Sequence, residues 1–174
     1  MVRKLSILAA ALALVVAGSC SEPTACTDVG CSDQASFTIR PPGSHWDEGA
    51  YSLQVKFDDA VYSCSFTLPD ALPGTGSWQA LDCTPALQAY LTPEVDCEEH
   101  KNGDSVSQVC TPIPDQYYLQ ASSTGTPATL AVTLQRDDTT LLEETRALSY
   151  RATQPNGPEC GPTCQQASTD FTWQ

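Results

Sequence analysis

Apolar and polar residues alternate with a period of two along several stretches of this chain. The clearest run places Tyr51, Leu53, Val55 and Phe57 between polar neighbours, and the same pattern recurs at 62–68 and 130–134. Alternation of this kind predicts β-strands with one buried face, because successive strand residues point to opposite sides. A shorter run at 117–119 and strand-like segments at 35–39 and 168–173 predict further strands.

Turn-forming residues separate these runs. The pairs Asp58-Asp59 and Asp137-Asp138 lie between predicted strands, and the spacing of a calcium-binding loop is missing around them. We therefore interpret both pairs as turns. Two segments are also compatible with short helices: 85–91, where Pro85 suits a helix start, and 141–148.

Short strands with turns every 8–12 residues are typical of a β-sandwich. The predicted fold class is therefore all-β, a disulfide-stapled β-sandwich that is immunoglobulin-like in the broad, architectural sense. The chain lacks the Cys…Trp…Cys spacing of antibody domains.

The N-terminus has the pattern of a secretory signal peptide. Arg3 and Lys4 precede an apolar run at 5–16, which ends in the small residues Ala17, Gly18 and Ser19. The run is shorter than the roughly 20 apolar residues that cross a bilayer. We expect cleavage after residue 19 and export of the mature chain.

Residues 17–20, Ala-Gly-Ser-Cys, resemble the lipobox of bacterial lipoproteins, although Ala17 stands where that family usually has a larger aliphatic residue. The resemblance implies diacylglycerol, with further acylation such as palmitate, on Cys20, and a membrane anchor through this lipid. Ser21, rather than Asp, implies sorting to the outer membrane. The alternative is ordinary signal cleavage, with Cys20 as one more thiol.

Nine cysteines are present, and removal of Cys20 as a lipid site leaves an even number. In an exported chain they are expected to form disulfides. Cys64 and Cys83 lie symmetrically about a Pro- and Gly-rich turn, which predicts the pair Cys64–Cys83. Cys97 and Cys110 flank an Asn-Gly turn signal, which predicts Cys97–Cys110.

The other four cysteines form doublets near the two ends of the mature chain. If the strand-like runs that follow each doublet are parallel neighbours at a sandwich edge, the pairs are Cys26–Cys160 and Cys31–Cys164. Crossed pairing and bridges within each doublet remain alternatives. A four-cysteine zinc site is a further alternative, but the spacing is looser than in typical zinc sites.

The net charge is −13, and it becomes more negative once Arg3 and Lys4 are removed. Such a surface repels the phosphates of nucleic acids, so no nucleic-acid partner is expected. The acidic residues are scattered along the chain. We interpret them mainly as a solvated surface, with binding of a cation or a cationic partner as the alternative.

No catalytic motif is recognisable, and the chain has two histidines. His45 and Trp46 could contact a partner, although we expect Trp46 to fill the core or an edge. Glu98, Glu99 and His100 could ligate a metal, but neighbouring strand residues face opposite ways, so a solvated hairpin tip is the preferred interpretation. No metal or other cofactor is expected.

The segments 25–31 and 155–164 look similar to those of cysteine-rich myxobacterial lipoproteins of unknown activity. We expect a signal peptide (1–19), a lipidated N-terminus with a short tether (20–27) and one β-sandwich domain (28–174). The predicted function is a non-enzymatic binding or structural module of the bacterial envelope with a protein or glycan partner. The alternative is an exported metal-dependent hydrolase that uses His45, His100 and nearby carboxylates.

Overall fold

A computed structural model describes residues 30–70, 72, 78–102, 105–157 and 159–173. The predicted signal peptide, Cys20, Cys26 and the tether to residue 27 lie outside these residues. The strands are β1 (Gln34–Arg40), β2 (Gly49–Phe57), β3 (Ala60–Leu68), β4 (Gln79–Ala80), β5 (Cys83–Thr84), β6 (Gln88–Asn102), β7 (Ser105–Thr124), β8 (Thr129–Arg136), β9 (Thr139–Ala147), β10 (Arg151–Thr153) and β11 (Cys164–Thr172).

The strands form two sheets, which pack into a β-sandwich, as the sequence predicts. One sheet has six strands in the order β10-β11-β1-β7-β6-β4, and the other has five in the order β5-β3-β2-β8-β9. Every strand pair is antiparallel except β1 with β11. The fold is all-β with two layers.

The core lies between the sheets and consists of the inward residues of alternating strands. The predicted alternation of β2 is confirmed, since its four apolar side chains are buried and the intervening residues are exposed. β8 buries three aliphatic residues in the same way, and the second half of β3 follows the same pattern. The largest fully buried side chains are Phe37, Ile39, Leu53, Val55, Leu91, Leu119, Leu130, Val132, Leu134 and Phe171.

Neither segment that was compatible with a helix is helical. In 85–91 the chain enters β6 at Gln88, where Ala89 and Leu91 are buried with a period of two. The segment 141–148 lies mostly in β9, because pairing with β8 satisfies the backbone N–H and C=O groups along one side of both strands. Among the described residues the one helical element is a 3₁₀ turn at Pro42–Ser44, so no helix there is long and apolar enough to cross a membrane.

Both aspartate pairs form turns, as predicted. Asp58 and Asp59 connect β2 to β3 between the paired residues Phe57 and Ala60. In the turn between β8 and β9, Asp137 and Asp138 have φ values of 46° and 64°. Aspartate tolerates this left-handed conformation better than most residues.

The two predicted local disulfides are confirmed. Cys97 pairs directly with Cys110 across β6 and β7, where the hairpin closes one residue later than the Asn-Gly signal suggests, at Asn102 opposite Ser105. Cys64 pairs with Cys83 across β3 and β5. These two strands do not form a simple hairpin, because β4 lies between them in sequence and belongs to the other sheet.

The predicted parallel pairing of the first and last strands is also confirmed. β1 and β11 run side by side in register from Gln34 opposite Gln166, and the disulfide Cys31–Cys164 joins them at their starts. The pair is not at the sheet edge, because β10 covers β11. Cys31 and Cys164 are therefore not zinc ligands. Cys160 is disulfide-bonded, and its predicted partner Cys26 lies outside the described residues.

Candidate functional site

The longest hairpin extends past the rest of its sheet. β6 pairs with β4 only at Tyr90 and Leu91, and β7 pairs with β1 only from Leu119 to Thr124. Beyond these positions β6 and β7 pair only with each other among the described residues. We call the segments 95–102 and 105–112 the arm. The disulfide Cys97–Cys110 lies within it.

A register shift marks the base of the arm. Pro93 lies opposite Tyr117, but Val95 lies opposite Pro112, so β7 contains extra residues at this point. Such a bulge bends a strand and turns it away from its sheet. The base is held from the end of β1, where Arg40 forms an ion pair with Glu94 at 3.0 Å.

Three neighbouring residues add hydrogen bonds at the base. The Ser44 hydroxyl donates to Glu94 Oε1 at 3.3 Å, and Trp46 Nε1 donates to the carbonyl oxygen of Tyr117 at 2.9 Å. His45 Nδ1 lies 3.0 Å from the carbonyl oxygen of Asp115. Because a carbonyl oxygen only accepts, Nδ1 carries the proton in this bond. These contacts hold the bulge and set the direction of the arm.

Trp46 belongs to a cluster of aromatic rings beneath the base of the arm. Its ring centroid lies 5.2 Å from that of Trp173, 5.4 Å from that of Tyr51 and 6.0 Å from that of Phe66. Trp46 is buried, which confirms that it fills the core, whereas His45 is exposed. Burial raises the pKa of the Tyr51 hydroxyl, which donates to the carbonyl oxygen of Asp47.

A shallow cleft of about 290 Å³ opens beside the aromatic cluster. Its lining includes His45, Trp46, Leu68, Leu72 and Tyr117. The size is at the lower limit of small-molecule sites. Because the base of the arm forms one wall, a molecule bound to the arm could also contact this cleft.

The arm exposes an unusual share of apolar surface for an isolated hairpin. Of the five large exposed hydrophobic residues in the described parts of the chain, three lie in it: Val95 at 49%, Val106 at 61% and Val109 at 55% exposure. Val95 and Val106 share one face, and Val109 lies on the other. The arm thus presents an apolar position on each face.

Acidic residues accompany these valines on one strand. Asp96, Glu98 and Glu99 are all exposed on β6, and Lys101 is the one basic residue among the described arm positions. The ion pairs found in the described residues leave Asp96 and Glu99 without a cationic partner, and Glu98 has only His100 Nε2 at 3.8 Å. The arm is therefore acidic.

The two histidines are not brought together. His45 contacts the base of the arm at Asp115, whereas His100 lies opposite Ser107 near the tip, roughly 20 Å further along the strands. His100 and Glu98 are 58% and 80% exposed, so this end of the hairpin is solvated, as predicted. No group of three metal-ligating side chains occurs in the described parts of the chain. The constellation that the hydrolase hypothesis needs is not formed.

The sequence predicts a hairpin from Cys97, Cys110 and the Asn-Gly turn signal between them, but not the length of its strands or its position outside the core. Apolar alternation stops after Leu91 and resumes at Tyr117, so most residues between resemble loops. The sequence of the arm has no apolar alternation, because a hairpin that lies outside the core buries neither of its faces.

Comparison with known proteins identifies no family for this chain: no protein-family model, no curated protein and no solved structure matches it.

Proposed function

We propose that this protein is an exported lipoprotein of the bacterial outer membrane, anchored through Cys20, and that it acts as a non-enzymatic binding module. In this proposal the sandwich is a rigid support, and the arm makes contact with a protein or glycan partner. The observation that carries the proposal is that the N-terminal end of β1 and the arm lie at opposite ends of the sandwich.

The arm and the N-terminal end of β1 lie at opposite ends of the sandwich. Gln34, at the start of β1, pairs with Thr124 at the end of β7, whereas the arm begins at Ser105. β7 has 20 residues, which span at most about 65 Å when extended. A lipid on Cys20, fourteen positions before Gln34, would thus attach the sandwich to the membrane from the end opposite the arm.

The covalent links suit the same arrangement. Cys31–Cys164 fastens the chain that leads from the N-terminus to the starts of β1 and β11. Force on a membrane tether would therefore pass into the middle of a six-stranded sheet rather than peel off a single strand. Disulfides of this kind persist in the envelope compartments of bacteria.

The anchor is tested by comparing the full-length chain with its Cys20→Ala variant in a bacterial host. We expect the wild type in the outer-membrane fraction, with a diacylglycerol-modified Cys20 in the mass spectrum of its N-terminal peptide. We expect the variant to lack the lipid and to be absent from the outer-membrane fraction. An unmodified Cys20 at the wild-type N-terminus, or a variant that still fractionates with the outer membrane, would refute the anchor.

The binding role is tested by removal of the arm. In this variant Val95 is joined to Pro112 through a two-residue turn, so that the sandwich core is left intact. We expect the armless variant to unfold as cooperatively as the wild type. We also expect it to lose the partners that the wild type retains from envelope extracts. Equal retention by the armless protein would show that the arm is not the binding surface.

A further inference from the structure

No strand among the described residues pairs with the outer edge of β7 in the arm, so the backbone groups there are available for pairing. The Cα atoms of Cys97 and Cys110 are 4.0 Å apart, which is typical of a non-hydrogen-bonded antiparallel pair. Residues in such pairs direct their N–H and C=O groups away from each other. By the period of two, Val106, Gln108 and Cys110 therefore point these groups outward, where no described strand pairs with them.

This edge lacks the usual protection against strand addition. Natural proteins guard open edges with charged side chains, proline or very short strands. The segment 105–111 reads Ser-Val-Ser-Gln-Val-Cys-Thr, with no charge and no proline, and it presents the exposed Val106 and Val109. Pro112 ends the available edge. The opposite edge, on β6, carries Glu99 and Lys101 at its outward positions and is guarded.

The charge beside this edge indicates which strand would fit. An added strand would lie next to β7, one strand away from the exposed Asp96, Glu98 and Glu99. The added strand would lie two strand spacings, roughly 9–10 Å, from β6, a gap that an extended lysine or arginine side chain and a glutamate side chain can close together when they lie on the same face. The net charge of −13 would also steer cationic molecules towards the protein.

We propose that residues 105–111 bind an extended, basic peptide segment of a partner protein by β-strand addition. Main-chain hydrogen bonds to Val106, Gln108 and Cys110 supply the pairing. On one face, apolar side chains of the segment cover Val106, and on the other face its lysine or arginine residues approach Asp96 and Glu98 of β6. This inference rests on the proposed function, because it names the partner class for the arm.

A second copy of the chain is the competing occupant. Two uncharged β7 edges could pair, but each copy would bring the acidic β6 strand and the same net negative charge without a compensating cation. Charge complementarity therefore favours the basic segment over self-association.

The test measures binding of a synthetic peptide to the full mature protein by titration calorimetry. The probe has about seven residues, the length of the free edge, and alternates lysine with valine. A second peptide has glutamate in place of each lysine. We expect binding of the lysine peptide, at least about tenfold weaker binding of the glutamate peptide, and weaker binding in about 500 mM than in about 50 mM salt.

Proline substitutions locate the edge. Gln108→Pro removes an outward N–H of β7 without a loss from the β6–β7 ladder, and about a tenfold loss of affinity is expected from the missing hydrogen bond and the disturbed pairing. Glu99→Pro is the matched control, because Glu99 lies directly opposite Gln108 and faces the other edge. The loss of peptide affinity caused by Glu99→Pro should equal the loss caused by Glu99→Gln, which removes only the charge of this side chain.

Three results would overturn the inference: equal binding of both peptides, no effect of Gln108→Pro, or a dimer in sedimentation analysis that Gln108→Pro abolishes. The armless variant separates this inference from the proposed function. If the lysine peptide does not bind while retention from envelope extracts still depends on the arm, the binding role stands and the basic-strand partner is wrong. If neither peptide binding nor retention from envelope extracts depends on the arm, both the proposed binding role and the basic-strand partner are wrong.

Discussion

Asp58 illustrates how a single turn residue connects distant parts of this protein. It has a φ of 50°, and its carboxylate accepts hydrogen bonds from the backbone N–H groups of Ala128 and Thr129, each at 2.9 Å, and from the Thr129 hydroxyl. The backbone N–H groups of Thr129 and Ala128 hold the pKa of Asp58 below its usual value. The turn after β2 is thereby fastened to the start of β8.

We expect Asp58→Asn to lower the melting temperature at neutral pH, because a neutral amide makes weaker bonds to these N–H groups than a carboxylate does. Since the folded-state pKa is depressed, the contribution of Asp58 is complete above the ordinary value of 3.8 and is lost as the pH falls through the lower, folded-state pKa. The difference between variant and wild type should therefore shrink in acid. Thermal unfolding at several pH values measures this.

Asp59→Asn is the matched control, since it changes the adjacent carboxylate of the same turn. It should leave the melting temperature nearly unchanged. A pH-independent difference for Asp58→Asn would contradict a role for its charge.

At the residue scale the sequence predicts the turns but not the hydrogen bonds that join Asp58 to Ala128 and Thr129. The pair Asp58-Asp59 between two alternating runs identifies a turn from local chemistry alone. Nothing local indicates that Ala128 and Thr129 supply the donors, because they lie about 70 residues away and meet Asp58 only when β2 and β8 pair.

At the scale of elements, the arm differs from every other hairpin because it has no core to pack against. Two-stranded hairpins are marginally stable in water. The disulfide Cys97–Cys110 therefore has a local role in keeping the arm strands paired. Cys64–Cys83, in contrast, is buried in the sandwich.

We expect replacement of both Cys97 and Cys110 by serine to increase amide hydrogen exchange throughout the arm while the melting temperature falls little. Loop closure alone predicts about 3 kcal/mol for a disulfide of this spacing, but the loss is limited because the arm can open while the sandwich stays folded. Exchange mass spectrometry and calorimetry measure the two effects.

Replacement of both Cys64 and Cys83 by alanine is the comparison. This pair closes a loop of similar length inside the core, so its removal should lower the melting temperature more. If the arm variant is destabilised equally, the arm is a cooperative part of the sandwich.

Element types follow from the sequence where one face is buried. The alternation in β2 and β8 predicts strands because every second side chain of these strands is buried in the core. The segments 85–91 and 141–148 are ambiguous because each is short and the spacing of its apolar residues also fits one face of a helix. Pairing with a neighbouring strand, a tertiary effect, decides both.

At the scale of the whole molecule, the parallel pair β1–β11 brings the two ends of the domain together. Cys31–Cys164 closes a separation of 133 residues at the starts of these strands. The arm leaves from the other end, so one end of the sandwich carries the cross-link and the other carries the arm.

We expect replacement of Cys31 and Cys164 by alanine to reduce the free energy of unfolding by less than the roughly 5 kcal/mol that closing one long loop implies, because Cys160 stays disulfide-bonded and its predicted pairing with Cys26 closes a loop of nearly the same length. Equilibrium denaturation of oxidised wild type and variant measures the change. Exchange in the arm should not change, since the arm lies at the far end. An unaltered midpoint would mean that this cross-link adds nothing to stability.

The sequence by itself determines the all-β class, the alternating core strands, the turns and the pairs Cys64–Cys83 and Cys97–Cys110, because each depends on residue spacing along one strand or across one turn. The pair Cys31–Cys164 is decided by the tertiary structure, which places β1 and β11 side by side. Only the tertiary structure decides how far the arm extends, at which end of the sandwich it lies and which of its edges is unpaired. These features depend on where β1 and β4 stop beside β6 and β7. No local pattern records the absence of a neighbouring strand.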